Sequence, residues 1–585
     1  MFQAHRQRLS SPLSRWISPA KKQTRKPPAE PDAQPDGEDV PDVPGEEEET
    51  EGSLAPRMAL AGATGGDTLE LKNANGDSLK QGTDYIVSGK TYTITTKENI
   101  VITGGDPDAT VRLESGDDSN VTLDNVTGLK ALYAQTGYEM NVTLVGENHV
   151  GYIYGSENGA SQTHIVIGGD GALTGHHIGG EYNYDVVSAD ITITGGTIEL
   201  DGLDGNSSVG ARYGAAIGGG NPGGIAKNIT ITGGEITVSS MYGAGIGGGS
   251  GGNAENIIIE GGKITATSIS GAAIGGGQKG SAKKITITGG TVTANGDRGA
   301  GIGGGYTGNA ENINISGGTV TASAHGGAAI GGGQYGGAKN ITITGGTVTA
   351  TTSIQSSGLL SIGAAIGGGG GDNKSYTSVD IFIPPVDGIT ISGGTVTASA
   401  PVGVGFIGNA VGCGFYYGSA YGFHTSIATN VSISCGTYTG SELVSSYIAE
   451  GYKLVQNGTV WEVVPNYVAQ IGDDKYYTLA EAIAAVQNEE AITLLSDVEL
   501  ISTISVSKKL TIDLAGHTIT TPDVAAGPGQ SVNGTTIFSL ENGADLTIKD
   551  SVGGGKVVPG SVTNSNSSSA DKPAIGLEGS AKLTV

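Results

Sequence analysis

Six groups of residues could carry chemistry. Gly243-Ala244-Gly245-Ile246-Gly247-Gly248 fits the G-x-G-x-x-G pattern of dinucleotide sites, and so does Gly299 to Gly304. That chemistry needs a strand before the glycines and a helix after them, with the phosphates at the helix N-terminus. Here the phrase recurs every 28 residues and no helical pattern follows. The glycines therefore read as turns, and no cofactor is expected. Gly116-Asp117-Asp118 offers paired carboxylates, which can divide acid and base duties across a glycosidic bond. From Gly214 to Gly440 there are only eight acids and eight lysines or arginines. They look scattered rather than stacked, so catalysis is not expected. His176-His177 could bind metal, but neighbours in a strand point to opposite faces and do not share one ion. Cys413 and Cys435, 22 residues apart, fit a disulfide and fit two unpaired small apolar residues equally well.

Aromatic side chains are the best ligand candidates, because a sugar ring can stack its C–H face on them. Tyr416, Tyr417, Tyr421 and Phe423 crowd together with Phe415 and His424. Their other reading is a lid over the last coil of a repeat. Tyr242, Tyr306 and Tyr335 flank glycine turns and would line one edge, or would simply be exposed.

These residues sit on a repeat that dictates the architecture. The phrase Gly-Ala-(Ala/Gly)-Ile-Gly-Gly-Gly places its isoleucine at 217, 246, 274, 302, 330 and 366, at spacings of 29, 28, 28, 28 and 36. A second phrase, Ile-Thr-Ile-Thr-Gly-Gly-Thr-Val, starts at Ile191, Ile229, Ile257, Ile285, Ile313, Ile341 and Ile389 and fades at Val431. The last long gap holds an insertion around Asp372 to Asp387. Within one unit Ile285-Thr286-Ile287-Thr288 alternates, Gly289-Gly290 turns the chain, and Thr291-Val292-Thr293-Ala294 alternates again. Gly299-Ala300-Gly301-Ile302 supplies a third, small-residue edge. Glycine pairs exclude helical repeats, at about 1 kcal/mol per glycine inside a helix. Three short strands per unit with glycine corners predict an all-β fold, a right-handed parallel β-helix. A lone coil cannot bury enough surface to fold, so the stack is the folding unit. Thr-x-Thr pairs such as Thr286/Thr288 and Thr291/Thr293 should form outward ladders.

Composition agrees. Glycine makes up 104 of 585 residues, against roughly 7% in an average chain, without the Gly-X-Y period of collagen. The formal charge of −26 argues against nucleic acid and anionic membranes as partners. No apolar stretch approaches the ~18 residues of a membrane span. Two cysteines make neither a disulfide framework nor a four-thiolate zinc site. Residues 1–65 read as a disordered tail. Nine of 19 prolines lie between Pro12 and Pro56, and basic residues from Arg6 to Lys26 precede an acidic run from Glu30 to Glu51. No apolar run of roughly 7–15 residues follows the basic stretch, so no signal peptide is visible.

The domain reading is 1–65 tail, 66–440 β-helix of about 13 coils (regular over 185–440), 441–465 hairpin linker, and 466–585 a second β-helix. Asn457-Gly458 signals a type I′ turn in the linker. Thr478-Leu479-Ala480-Glu481 is a capping box, with Leu479, Ala480, Ile483, Ala484 and Val486 on the inner face of a short helix that would lid the second stack. The chain stops at Leu583-Thr584-Val585 in what reads as mid-strand, so a truncated second domain is expected.

The second domain resembles the start of pectin-lyase-like β-helix domains. The array resembles Gly-rich repeats of large secreted or wall-attached proteins of anaerobic Gram-positive bacteria, in which Gly-Ala-Gly-Ile-Gly-Gly-Gly alternates with Ile-Thr-Ile-Thr-Gly-Gly-Thr-Val-Thr-Ala. Gly116-Asp117-Asp118 is similar to part of the polygalacturonase aspartate motif, but Gly516-His517 is followed by Thr518 and no Arg-Ile-Lys occurs. The resemblance implies a monomeric, non-enzymatic protein of the cell surface or exterior, adhesin-like or carbohydrate-binding, with a polysaccharide or host glycan as partner. The alternatives are a polysaccharide lyase or glycoside hydrolase, a structural spacer, and an ice-binding threonine ladder.

Overall fold

The computed structural model describes residues 68–155, 163–181, 190–202, 213–220, 223–354, 360–373, 381–403, 406–407, 409–418, 422–425, 428–439, 445–487, 490–525, 536–563 and 574–585. The tail reading falls outside them.

Three parallel sheets wrap one core. On the first face, Tyr92, Val111, Leu132, Ile153, Ile178, Ile217, Ile246, Ile274, Ile302, Ile330, Ile366 and Val411 follow one another in register. At ~4.8 Å per rank these twelve residues span about 50 Å. The second face stacks Ile-x-Ile strands, as in Ile257–Ile259 on Ile285–Ile287 on Ala310–Ile315. The third stacks the Thr-Val-Thr-Ala strands. Alternation in the sequence becomes burial: Ile285, Ile287, Val292 and Ala294 are buried, and the threonines between them face outward. One threonine column runs through Thr237, Thr265, Thr293, Thr321, Thr349, Thr397 and Thr437. The three-strand coil read from the repeat is the observed one.

Charged residues of the array do stack, contrary to expectation. Lys263 Nζ lies 2.6 Å from Glu235 Oε1 and Lys283 Nζ lies 2.7 Å from Glu255 Oε1, each pair 28 residues apart. Glu311 stands in register with Lys339. One coil of separation in sequence is one strand spacing in space, so opposite charges a period apart become cross-strand neighbours.

Both ends of the stack switch to antiparallel pairing. Glu70–Asn73 lies antiparallel on Ile100–Thr103, and the hairpin Tyr85–Ser88/Thr91–Ile94 sets its second strand on Thr110–Leu113. At the far end Thr437–Thr439 pairs antiparallel with Val460–Pro465, which forms a hairpin with Tyr452–Asn457. These strands cover ladder edges that would otherwise invite another chain. The hairpin turn sits one residue later than expected. Asn457 pairs with Val460, and of the central residues Gly458 and Thr459 only Gly458 has positive φ, at 65°. That is the signature of a type II′ turn.

In the second stack, Ala491–Leu494, Lys509–Asp513, Asp545–Lys549 and Lys582–Thr584 run parallel. Thr478 caps the helix Leu479–Ala485 in a full capping box with Glu481. Its inner face is Leu479, Ala482, Ile483 and Val486, while Ala480 and Ala484 face outward. Positions i, i+3, i+4 and i+7 share a face, which selects Ala482.

Candidate functional site

The sequence-predicted aromatics fall in two places. Phe415–Gly418 and Gly422–Thr425 form an antiparallel hairpin that pairs onto Leu360–Ile362. The backbone therefore builds a flap at an insertion ahead of Ile366. The lid of the last coil is the 452–465 hairpin instead. Only the backbone of Tyr416, Tyr417 and Phe423 is described, and Tyr421 lies outside the described residues. The expected insertion around Asp372 is a short hairpin, Asp372–Asn373 on Ile381–Phe382.

Tyr242, Tyr306 and Tyr335 share one corner of the array. Two backbone columns meet there. The N–H groups of Ser250, Gln278, Tyr306 and Gln334 donate to the carbonyls of Tyr213, Tyr242, Ser270 and Arg298, at 2.7–2.8 Å. The residues that follow, Gly251, Lys279, Thr307 and Tyr335, all have left-handed backbones, with φ between 63° and 83°. Glycine adopts that conformation freely; a lysine, a β-branched threonine and a tyrosine do so only under constraint. Here each N–H is bonded to the next coil, which supplies it. The Tyr213 and Tyr242 rings stack 4.7 Å apart at 14°, and those of Tyr306 and Tyr335 meet edge-on at 5.5 Å. Four successive ranks thus present a tyrosine or its partner along about 14 Å of the axis. Lys279 and Arg298 stand exposed among them.

A second aromatic surface was not anticipated. The glycine that follows each core isoleucine is replaced, in the first coils, by Arg112, Tyr133 and Tyr154, in register with one another and with Gly179. Arg112 lies over the Tyr133 ring at 4.1 Å. Tyr133 and Tyr154 are 5.0 Å apart, Tyr152 stacks on Tyr154 at 5.3 Å, and His176 leans on Tyr152 at 5.4 Å. Tyr133 donates its hydroxyl to Glu181 at 2.9 Å. The signal was the 21-residue interval from Arg112 to Tyr133 to Tyr154, a shorter coil than the 28-residue phrase that dominates the sequence.

The other candidates have structural partners. Gly247 has φ of 138° and sits under the Gly275 carbonyl, and no helix follows it. Asp117 pairs with Lys97 at 3.2 Å, a contact that holds its carboxyl below the ordinary value, while Asp118 accepts the N–H of Glu139. Their carboxyls are thus engaged separately. His176 binds Asp201 at 2.8 Å, whereas His177 is buried with its ring nitrogens 2.6 and 2.7 Å from the carbonyls of Ala215 and Gly180. The two histidines do point apart. Cys413 and Cys435 are free thiols. Among the described residues no group of three or more His, Cys, Asp or Glu could hold a metal ion, and no helix is long and apolar enough to cross a membrane.

A family model described as a beta helix repeat matches residues 229–250, 257–278, 285–306, 313–334, 341–370 and 389–415. The chain carries a parallel β-helix domain. The first four matched segments of this β-helix run from an Ile-x-Ile strand through the next alternating strand to the Ile-Gly-Gly-Gly corner, and they end on Ser250, Gln278, Tyr306 and Gln334, the four ranks of the corner just described. No curated protein and no solved structure matches the chain.

Proposed function

We propose that this β-helix protein is a non-enzymatic glycan-binding module of a cell surface or its exterior, and that the Tyr213–Tyr242–Tyr306–Tyr335 corner is where a sugar chain lies. The row of stacked and edge-on tyrosines at coil spacing carries the reading. Tyrosine gives a sugar ring an apolar face and a hydroxyl, at little cost in conformational entropy. A rigid row of such faces suits an extended polymer aligned with the solenoid axis. Gln278, Gln334, Lys279 and Arg298 supply hydrogen bonds beside the rings. The acids of the array support the non-enzymatic reading, because Glu235 and Glu255 are committed to lysines of the next coil.

The test is a glycan-array screen of the full chain, with product release assayed on the same polysaccharides. Saturable binding without cleavage, lost in a Tyr242→Ala/Tyr306→Ala variant that melts normally, is expected. Cleavage of any polysaccharide, or binding indifferent to both tyrosines, overturns the assignment.

A further inference from the structure

The tyrosine corner is a grid of four rows. Each row holds a carbonyl acceptor, the residue whose N–H it binds and the left-handed residue that follows. One row is Tyr242, Gln278 and Lys279, and the row two further on is Arg298, Gln334 and Tyr335. Lys279 donates its N–H to the carbonyl of Tyr306, in the row between. Each cation therefore has a tyrosine in its own row and Tyr306 one row away. Both are exposed.

The charge of this grid differs from that of its surroundings. Acids outnumber lysines and arginines 57 to 31 in the chain, yet four rows of three residues hold two cations and no acid. Lysines elsewhere on the array are neutralised one coil away, Lys263 by Glu235 and Lys283 by Glu255. Among the described residues, neither the Lys279 nor the Arg298 side chain has a hydrogen bond or an ion pair of this kind. Asp297, beside Arg298 in sequence, lies 3.3 Å from His325.

Lys279 also stands where the preceding row has a glycine. Its φ is 65°, against 83° at Gly251. A lysine in the left-handed region gives up free energy that glycine keeps, so the fold carries this charge at a cost. The acidity of the whole chain repels a polyanion at a distance, but salt screens that field beyond ~8 Å at physiological ionic strength. Cations in contact with a ligand act inside that range.

We propose that the polymer taken by this corner is an acidic glycan. Its carboxylate or sulfate groups meet Lys279 and Arg298 while its sugar rings lie on the tyrosines. This names the ligand class of the glycan reading above and rests on it.

The experiment titrates the full chain with oligosaccharides of matched length from hyaluronan, keratan sulfate and chitin, which carry carboxylates alone, sulfates alone and neither. At least one acidic probe should bind saturably and about tenfold tighter than chitin at physiological salt, with the difference shrinking as salt rises. Lys279→Gln and Arg298→Gln should each weaken the acidic probe about two- to fivefold. Lys453→Gln makes the same change of net charge on the distant hairpin and should weaken it not at all. Lys279→Gly separates recognition from folding: it should lose as much affinity as Lys279→Gln while melting no lower than the unmodified chain. Equal binding of acidic and neutral probes overturns the proposal, as does acidic binding that survives Lys279→Gln/Arg298→Gln unchanged or falls equally in Lys453→Gln. Chitin bound as tightly as either acid, and lost in Tyr242→Ala/Tyr306→Ala, removes the acidic preference and leaves the corner standing. Silence toward every glycan sinks both readings.

Discussion

A Cβ placed on Gly303 would stand 1.9 Å from the carbonyl oxygen of Gly331, its partner one coil on. The same approach recurs between Gly247 and Gly275 and between Gly275 and Gly303, with φ of 138–141° at all three. The corner closes only because each of these positions lacks a side chain.

Gly303→Ala should therefore cost about 3 kcal/mol or more, from a strained φ and a backbone clash that the stacked neighbours cannot relieve. Gly76 also has positive φ, 88°, but a Cβ there meets nothing within 4 Å. Gly76→Ala should cost only about 1–2 kcal/mol. Chemical denaturation of both variants checks the ranking, and equal losses would contradict it.

Two tyrosines should behave oppositely. Tyr438 is fully buried at the end of the first stack and donates to the Cys435 carbonyl at 2.6 Å. Tyr438→Ala should lower stability by about 3–5 kcal/mol, as for other large aromatic truncations. Tyr306→Ala, at the half-buried corner, should change the melting point little and reduce glycan binding. Thermal melts and binding isotherms on the same samples separate the two effects.

Acid should loosen the chain at His177. Burial pushes its pKa below the ordinary 6.5, outweighing the bonds to the Ala215 and Gly180 carbonyls. The unfolded chain then takes up a proton that the folded chain resists, so this contribution to stability is present above about pH 6.5 and falls as pH drops toward the folded value. His325 has the opposite sign. Asp297 raises its pKa, so its contribution is present below 6.5 and is lost as pH rises through the folded value. Unfolding free energy measured from pH 5 to 8 should show a flatter acid limb in His177→Gln, and an unchanged limb would refute the assignment.

The thiols should be sluggish. Burial pushes Cys413 up to about 11 and raises Cys435 as well. Alkylation at pH 8 should be slow on the native chain, slower at Cys413, and fast once denaturant is added. Fast native labelling of Cys413 would place it outside the core.

The coil itself was legible because burial follows strand alternation: Ile285 and Ile287 announce one face, Val292 and Ala294 the next, and a 28-residue period puts every one over its equivalent. The capping box was legible for the same reason, since Thr478 and Glu481 act within one turn. Where the period shortens or breaks, local pattern stopped being enough. Arg112, Tyr133 and Tyr154 form a column only because their coils are 21 residues long, and the Phe415 hairpin found its partner at Leu360, more than fifty residues back. Glu235 and Lys263 looked scattered because the distance that matters between them is one strand spacing, not 28 residues of chain. The sequence by itself determined the strands, the corners and the stack, which depend on side chains repeating at fixed intervals. Tertiary structure decided which outward residues become neighbours, because stacking brings side chains a whole coil apart within a few ångströms.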